Sequence, residues 1–240
     1  MKRILTILSQ KWPEYILEIL VITIGILGAF ALNNWNTSIN QEQERLEMLR
    51  NLKTEFQINL KEVQDRKSPL QLSIGSLLQL MQLTTPRYDT LDESQVNSLI
   101  QAAIYFQTYD GSSGAINNAI NNNKLVLLKS DSLKSELASW FGVLDSGKEL
   151  EARLVKVSME QMNPYLQENF SLVRMDNSSN TADIPRSNLP HDNRKIMGEM
   201  KFQSIVNDLY WQKQYTLYGY EYMEKKIKII LQLIEKEGSL

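Results

Sequence analysis

The chain has 240 residues, of which 42% are hydrophobic, with 26 basic and 28 acidic side chains, one histidine and no cysteine. A formal net charge of -2 supplies no global field that would draw nucleic acid or an acidic substrate. The absence of cysteine excludes disulfides, thiolate metal sites and cysteine nucleophiles, and is compatible with a reducing or an oxidising compartment.

Residues 1–11 place Ile4, Leu5 and Leu8 near one helical face, with Lys2, Arg3 and Lys11 elsewhere. That pattern predicts a segment lying along the cytoplasmic membrane surface. Residues 12–35 follow, uncharged from Ile19 to Leu32 and bounded by Trp12 and Trp35. In a helix these tryptophans stand about 34 Å apart at ~1.5 Å per residue. The hydrocarbon core of a bilayer is ~30 Å thick and Trp prefers its two interfaces, so the segment is read as a membrane span, with Pro13 as its first helical residue. Basic residues precede the span, whereas the first one after it is Arg45, beyond a neutral stretch. This asymmetry predicts a cytoplasmic N-terminus and residues 36–240 outside the cytoplasm. Two rivals compete with an uncleaved anchor. One is a signal peptide cut after Ala31 in Ala29-Phe30-Ala31, which leaves the long polar lead with Trp12, Pro13 and Glu18 unexplained. The other is a buried soluble helix, for which no other stretch is apolar enough to provide a surround.

Within the span, Glu18, Gly25 and Ala29 fall within about 40° of one another at ~100° per residue, with Gly28 at the edge and Asn33 at the far end. Either Glu18 snorkels to the headgroups or is protonated, or this small, polar stripe packs against a second copy or another membrane protein.

The run Glu18-Ile19-Leu20, then Ile24-Gly25-Ile26-Leu27 and Asn33-Asn34-Trp35-Asn36, resembles the N-terminal signature of a family of uncharacterised single-pass Gram-negative bacterial membrane proteins. The resemblance continues through the polar helix after the span and through Ser113-Gly114 with the Asn-rich stretch Asn117 to Asn123. Leu17 stands where the family pattern has glycine. The resemblance implies an inner-membrane anchor with an extracytoplasmic helical domain, and no activity.

From Gln41 to Lys67, Leu46, Leu49, Leu52, Phe56, Leu60 and Val63 recur at helical spacing, while six acidic and six basic residues fill the other faces, which are expected to be solvated. A kink is expected near Pro69 before Leu70, Ile74, Leu77 and Met81 resume the stripe, and Thr84-Thr85-Pro86 ends it. A shorter helix follows from about Asp92 to Phe106, with Val96, Leu99, Ile100 and Ala103 inward and Asp92 or Thr90 as cap. Tyr109 to Gly114 lacks the spacing and lysine of a phosphate loop and reads as a tight connection. The asparagines from Asn117 to Asn123 suit positive dihedrals; recognition of a ligand by their amides is the competing reading.

Ser130-Asp131 opens a long helix striped by Leu133, Leu137, Trp140, Leu144, Leu150, Leu154 and Val157, and Pro164 should bend or divide it. Residues 175–193 read as a polar loop or linker containing His191, a poor metal candidate without cysteine or spaced acidic partners. The last helix, from about Lys195 to Lys236, carries Phe202, Ile205, Leu209, Ile227, Ile230 and Ile234. A second stripe on it, Trp211, Tyr215, Tyr218 and Tyr222, is expected to pack in the core, the alternative being a partner surface.

These elements predict an all-α protein: one N-terminal transmembrane helix followed by an elongated antiparallel bundle of three or four main helices. No hydrolase, metalloprotease or nucleotide motif is present, so no enzyme, cofactor or metal site is expected. The favoured reading is a membrane-tethered helical scaffold at the inner membrane, in contact with lipid and with a protein partner or a second copy. The alternative is a sensory or small-ligand-binding module that relays through a membrane partner.

Overall fold

A computed structural model describes residues 2–179 and 184–239. Helix α1 (Lys2–Leu83) runs unbroken for 82 residues, about 123 Å at ~1.5 Å per residue. It is followed by α2 (Glu93–Ile104), α3 (Gly114–Asn121), α4 (Asp131–Val157), α5 (Asn163–Asn169), α6 (Leu172–Ser179) and α7 (Met200–Gly238). No strand occurs among the described residues. The expected all-α architecture is found: a long N-terminal apolar helix whose distal part is one wall of an elongated bundle. The register of α7 against α1 is antiparallel. Glu237 meets Arg45 at 3.1 Å, Glu224 meets Lys67 at 2.7 Å, and Lys213 meets Ser73 at 2.7 Å. Helix α4 runs against α7 in the same sense, with Glu136 on Lys226 at 2.6 Å and Glu151 on Tyr220 at 2.6 Å.

The inward stripes read from the sequence supply the core. Leu49, Leu52, Phe56, Val63, Leu70, Ile74 and Leu77 of α1 are buried against Leu133, Leu137 and Trp140 of α4 and Phe202, Ile205, Leu209, Ile227 and Ile230 of α7. Phe56 and Trp140 meet edge to face with ring centroids 5.2 Å apart. Where α4 crosses α7, each helix offers a glycine to the other's long side chain. A Cβ on Gly147 would lie 1.9 Å from Met223 Cε, and one on Gly219 would lie 2.7 Å from Leu150 Cδ1. Helix starts follow the predicted caps: Asp92 accepts from the Ser94 N–H and Ser130 from the Leu133 N–H.

Two expectations are corrected. The backbone is helical from Lys2, so Pro13 lies inside α1 and not at its first turn. At Pro69, where the kink is expected, α1 is helical on both sides. The carbonyl that Pro69 cannot serve belongs to exposed Asp65, where water can take the missing donor's place. Residues 172–179 form α6, so the polar connection begins later than expected, with Met175 buried against the core. The division at Pro164 does occur, as a wide π-type turn over Ser158–Met162 immediately ahead of α5. Asn180 and the side chains of Ile4, Leu5 and Leu8 lie outside the described set.

Trp140 is fully buried at the centre of this packing. Trp140→Ala should destabilise the folded domain by about 3–5 kcal/mol, checked by denaturant unfolding. Because the Trp140 indole N–H has no partner among the described residues, Trp140→Phe should cost much less.

Candidate functional site

The first functional feature is the uncovered part of α1. From Trp12 to Gln41 every residue is exposed, and the most apolar stretch reaches a mean hydropathy of 2.3 with none of it buried by the chain itself. Trp12 and Trp35 are 59% and 65% exposed at its two ends. Glu18, Gly25, Gly28 and Ala29 all lie on this bare segment, and a Cβ at Gly25 or Gly28 would have no neighbour within 4 Å. This one helix is long and apolar enough to cross a membrane.

Packing begins at Arg45, which is only 2% exposed. Its guanidinium donates to Glu42 at 2.6 and 3.0 Å, to Glu237 Oε1 at 3.1 Å and to the Glu237 carbonyl at 3.0 Å. Glu237, fully buried near the end of α7, also accepts the backbone N–H groups of Lys129 at 2.6 Å and Ser130 at 2.9 Å. One carboxylate thus ties the start of α4 and the end of α7 to Arg45, near the middle of α1.

Higher on α1, Glu55, Asn59, Glu62 and Arg66, at helical spacings of four, three and four, form a polar seam. Glu55 accepts from the first turn of α3, at Ala115 N (2.6 Å) and Ile116 N (3.1 Å). Asn59 pairs with both polar groups of the Ser112 backbone at 2.8 Å each. Glu62 accepts from Asp110 N at 2.9 Å, and Arg66 donates to the Thr108 carbonyl at 3.0 Å. The segment expected to be a tight connection is therefore an extended strap laid along α1. Gly111 is required in it because a Cβ there would lie 1.8 Å from the Tyr109 hydroxyl. The expectation that the charged face of α1 is wholly solvated is also corrected, since Arg45, Glu55 and Asn59 are buried. Nothing local in the sequence marks their burial, because the partners that cover them, beyond Glu42 beside Arg45, are 53 to 192 residues away. The Asn-rich stretch does supply a positive dihedral, at Asn123 with φ 54°.

Behind the strap, Glu151 accepts from Tyr109 N at 2.9 Å and from the Tyr220 hydroxyl at 2.6 Å. Burial and this carboxylate push the Tyr220 hydroxyl far above its ordinary range. Lys213 is fully buried, and among the described residues no carboxylate pairs with it. Its Nζ donates to Ser73 Oγ and the Tyr105 carbonyl, each at 2.7 Å, and lies 5.9 Å from the Phe106 ring centroid. Two acceptors match the two hydrogens of a neutral amine, and burial lowers the Lys213 pKa to about 7. His191 makes only a 3.2 Å contact with the Asn169 carbonyl, and no group of three His, Asp or Glu among the described residues is arranged to hold a metal ion.

The last feature corrects the sequence reading most. Trp211, Tyr215, Tyr218 and Tyr222 do not pack in the core; they are 45, 46, 57 and 53% exposed. The stripe points roughly 150° away from the core stripe of α7 at ~100° per residue, so both could not be buried in one bundle. The rings are ordered among themselves, Trp211 stacking on Tyr215 at 5.9 Å and meeting Tyr210 edge to face at 5.3 Å. Rigid aromatic rings in water, with few rotamers to lose, are the side chains that dominate protein interfaces.

For Lys213 the sign of the pH dependence is set by its lowered pKa. Between about pH 7 and its ordinary 10.5 the unfolded chain binds the proton that the folded chain does not, so stability rises with pH. From pH 7.5 to 9, below the tyrosine range, unfolding free energy should increase by up to ~1.4 kcal/mol per pH unit, and Lys213→Met should flatten that slope.

No protein-family model, curated protein or solved structure matches this chain.

Proposed function

We propose that this protein is a single-pass, membrane-anchored helical scaffold that presents the aromatic face of α7 to a protein partner at a fixed height above the bilayer. The observation that carries the reading is the exposed, mutually stacked stripe from Trp211 to Tyr222. Because α7 is tied to α1 at Lys213–Ser73 and Glu224–Lys67, the stripe stands about 48 to 57 Å beyond Trp35 at ~1.5 Å per residue. A lipid headgroup layer is only ~5–7 Å deep, so lipid does not cover these rings. The basic flank Lys2, Arg3 and Lys11 before the span supports an N-terminus in the cytoplasm, and the resemblance of the anchor signature supports the inner membrane with the bundle in the periplasm. Glu18, Gly25, Gly28 and Ala29 are the contact stripe through which the span meets a helix of the partner or of a second copy.

Two measurements test this. A photo-crosslinking residue at Tyr218 should give one discrete heavier species in cells, lost on Trp211→Ala, whereas the same residue at exposed Leu72 of α1 should give none; equal patterns at both positions would remove the partner surface. A C-terminal alkaline phosphatase fusion should be active, and activity confined to a cytoplasm-only reporter would reverse the orientation.

A further inference from the structure

The outer stripe of α7 does not end with the rings. Lys225, Ile229, Gln232 and Lys236 continue it from Trp211, Tyr215, Tyr218 and Tyr222, at spacings that alternate four and three, over about 38 Å at ~1.5 Å per residue. Lys225, Gln232 and Lys236 are exposed and Ile229 is half-buried. A ~3.5-residue repeat of this kind is the seam along which a second helix packs at a crossing angle of ~20°. The part of the seam beyond Tyr222 is basic. Lys226 and Lys228 are paired with Glu136 and Glu224, whereas no carboxylate among the described residues pairs with Lys225 or Lys236. Lys225, Ile229 and Gln232 also border an open cleft of about 460 Å³ between α7 and α1, where Lys67, Lys225 and Lys228 face Glu221 and Glu224. Glu224 already serves Lys67, Lys228 and Gln64, so the cleft carries a surplus of positive charge.

Taking the scaffold reading as given, we infer that the partner on this face is a different protein and contributes one amphipathic helix laid along the seam, with aliphatic side chains against the rings and acidic ones against Lys225, Lys236 and the cleft. Two copies anchored in one bilayer by unbroken helices both run α7 towards it. Self-pairing through this face therefore takes place about an axis along the membrane normal, where each residue meets its own counterpart. Lys225 would stand against Lys225 and Lys236 against Lys236, like charges opposed within the seam, which bars the second copy. An acidic helix turns each repulsion into an ion pair. From Trp211 to Tyr222 the seam has no charge, so the matching stretch of the partner is apolar. The two ends of the seam thus ask for different chemistry, which fixes the direction and register of the helix on it.

Photo-crosslinking residues at Tyr218 and, separately, at Gln232 of the full anchored chain read the seam in cells. Expected is the same heavier species at both positions, larger than the chain by a mass other than its own. Lys225→Glu with Lys236→Glu should lower its yield at Tyr218 by ~fivefold or more, and Lys225→Arg with Lys236→Arg should keep it. Lys148→Glu with Lys156→Glu, an equal change of charge at exposed sites of α4, should leave it unchanged. A species of twice the chain's mass makes the partner a second copy and overturns the inference. A yield that survives the reversal, or falls equally with the α4 pair, overturns the acidic helix and leaves the scaffold reading standing. A species at Tyr218 with none at Gln232 overturns a helix along the seam. No species at Tyr218 in the parent overturns both the inference and the scaffold reading.

Discussion

The continuity of α1 governs everything else in this molecule. One helix leaves the apolar segment, passes Trp35 and becomes a wall of the bundle without a loop or hinge between them. A linker of flexible residues would let the domain wander, whereas an unbroken helix converts sequence number into distance from the apolar segment. The strap at residues 108–112 and the aromatic face of α7 acquire their levels from the residues of α1 to which they are tied. The helix continues past Pro69, and the carbonyl left without its donor belongs to exposed Asp65.

What ties the other elements to α1 is a set of buried carboxylates that accept backbone N–H groups. Glu55 closes the first turn of α3, and Glu237 closes the approach to α4. Glu151 holds the strap from the far side. Each satisfies donors that a helix start or an irregular segment would otherwise bury unpaired. Apolar stripes tolerate sliding by a turn, but a carboxylate placed on two particular N–H groups does not, so these contacts fix register as well as adding stability. Lys213 differs from buried Arg45 in that, among the described residues, it is held by neutral acceptors with no carboxylate, and its cost falls on the folded state at low pH.

Much of the fold was legible in the sequence because it is written in local patterns. The stripe Leu49, Leu52, Phe56 and Val63, the caps Asp92 and Ser130, and the break at Pro164 each depend on neighbours a few residues away. Arg45, Glu55 and Lys213 were not legible, since a charge on a helix is usually solvated and only the tertiary partner shows otherwise. The aromatic stripe failed for a different reason. Periodicity marks a face but not which face is covered, and α7 carries two faces at helical spacing with room in the bundle for one. The strap was misread as a turn because its conformation comes from Asn59 and Glu62, not from its own residues.

The central claim is that the apolar segment and the bundle share one continuous helix without a hinge between them, and an electron-electron distance measurement tests it most directly. Spin labels at Leu32→Cys and Leu72→Cys, both exposed on α1, should show in bilayers a single narrow distribution near 60 Å, from ~1.5 Å per residue. A broad distribution, or one centred well below that distance, would show a hinge between span and bundle and contradict the account.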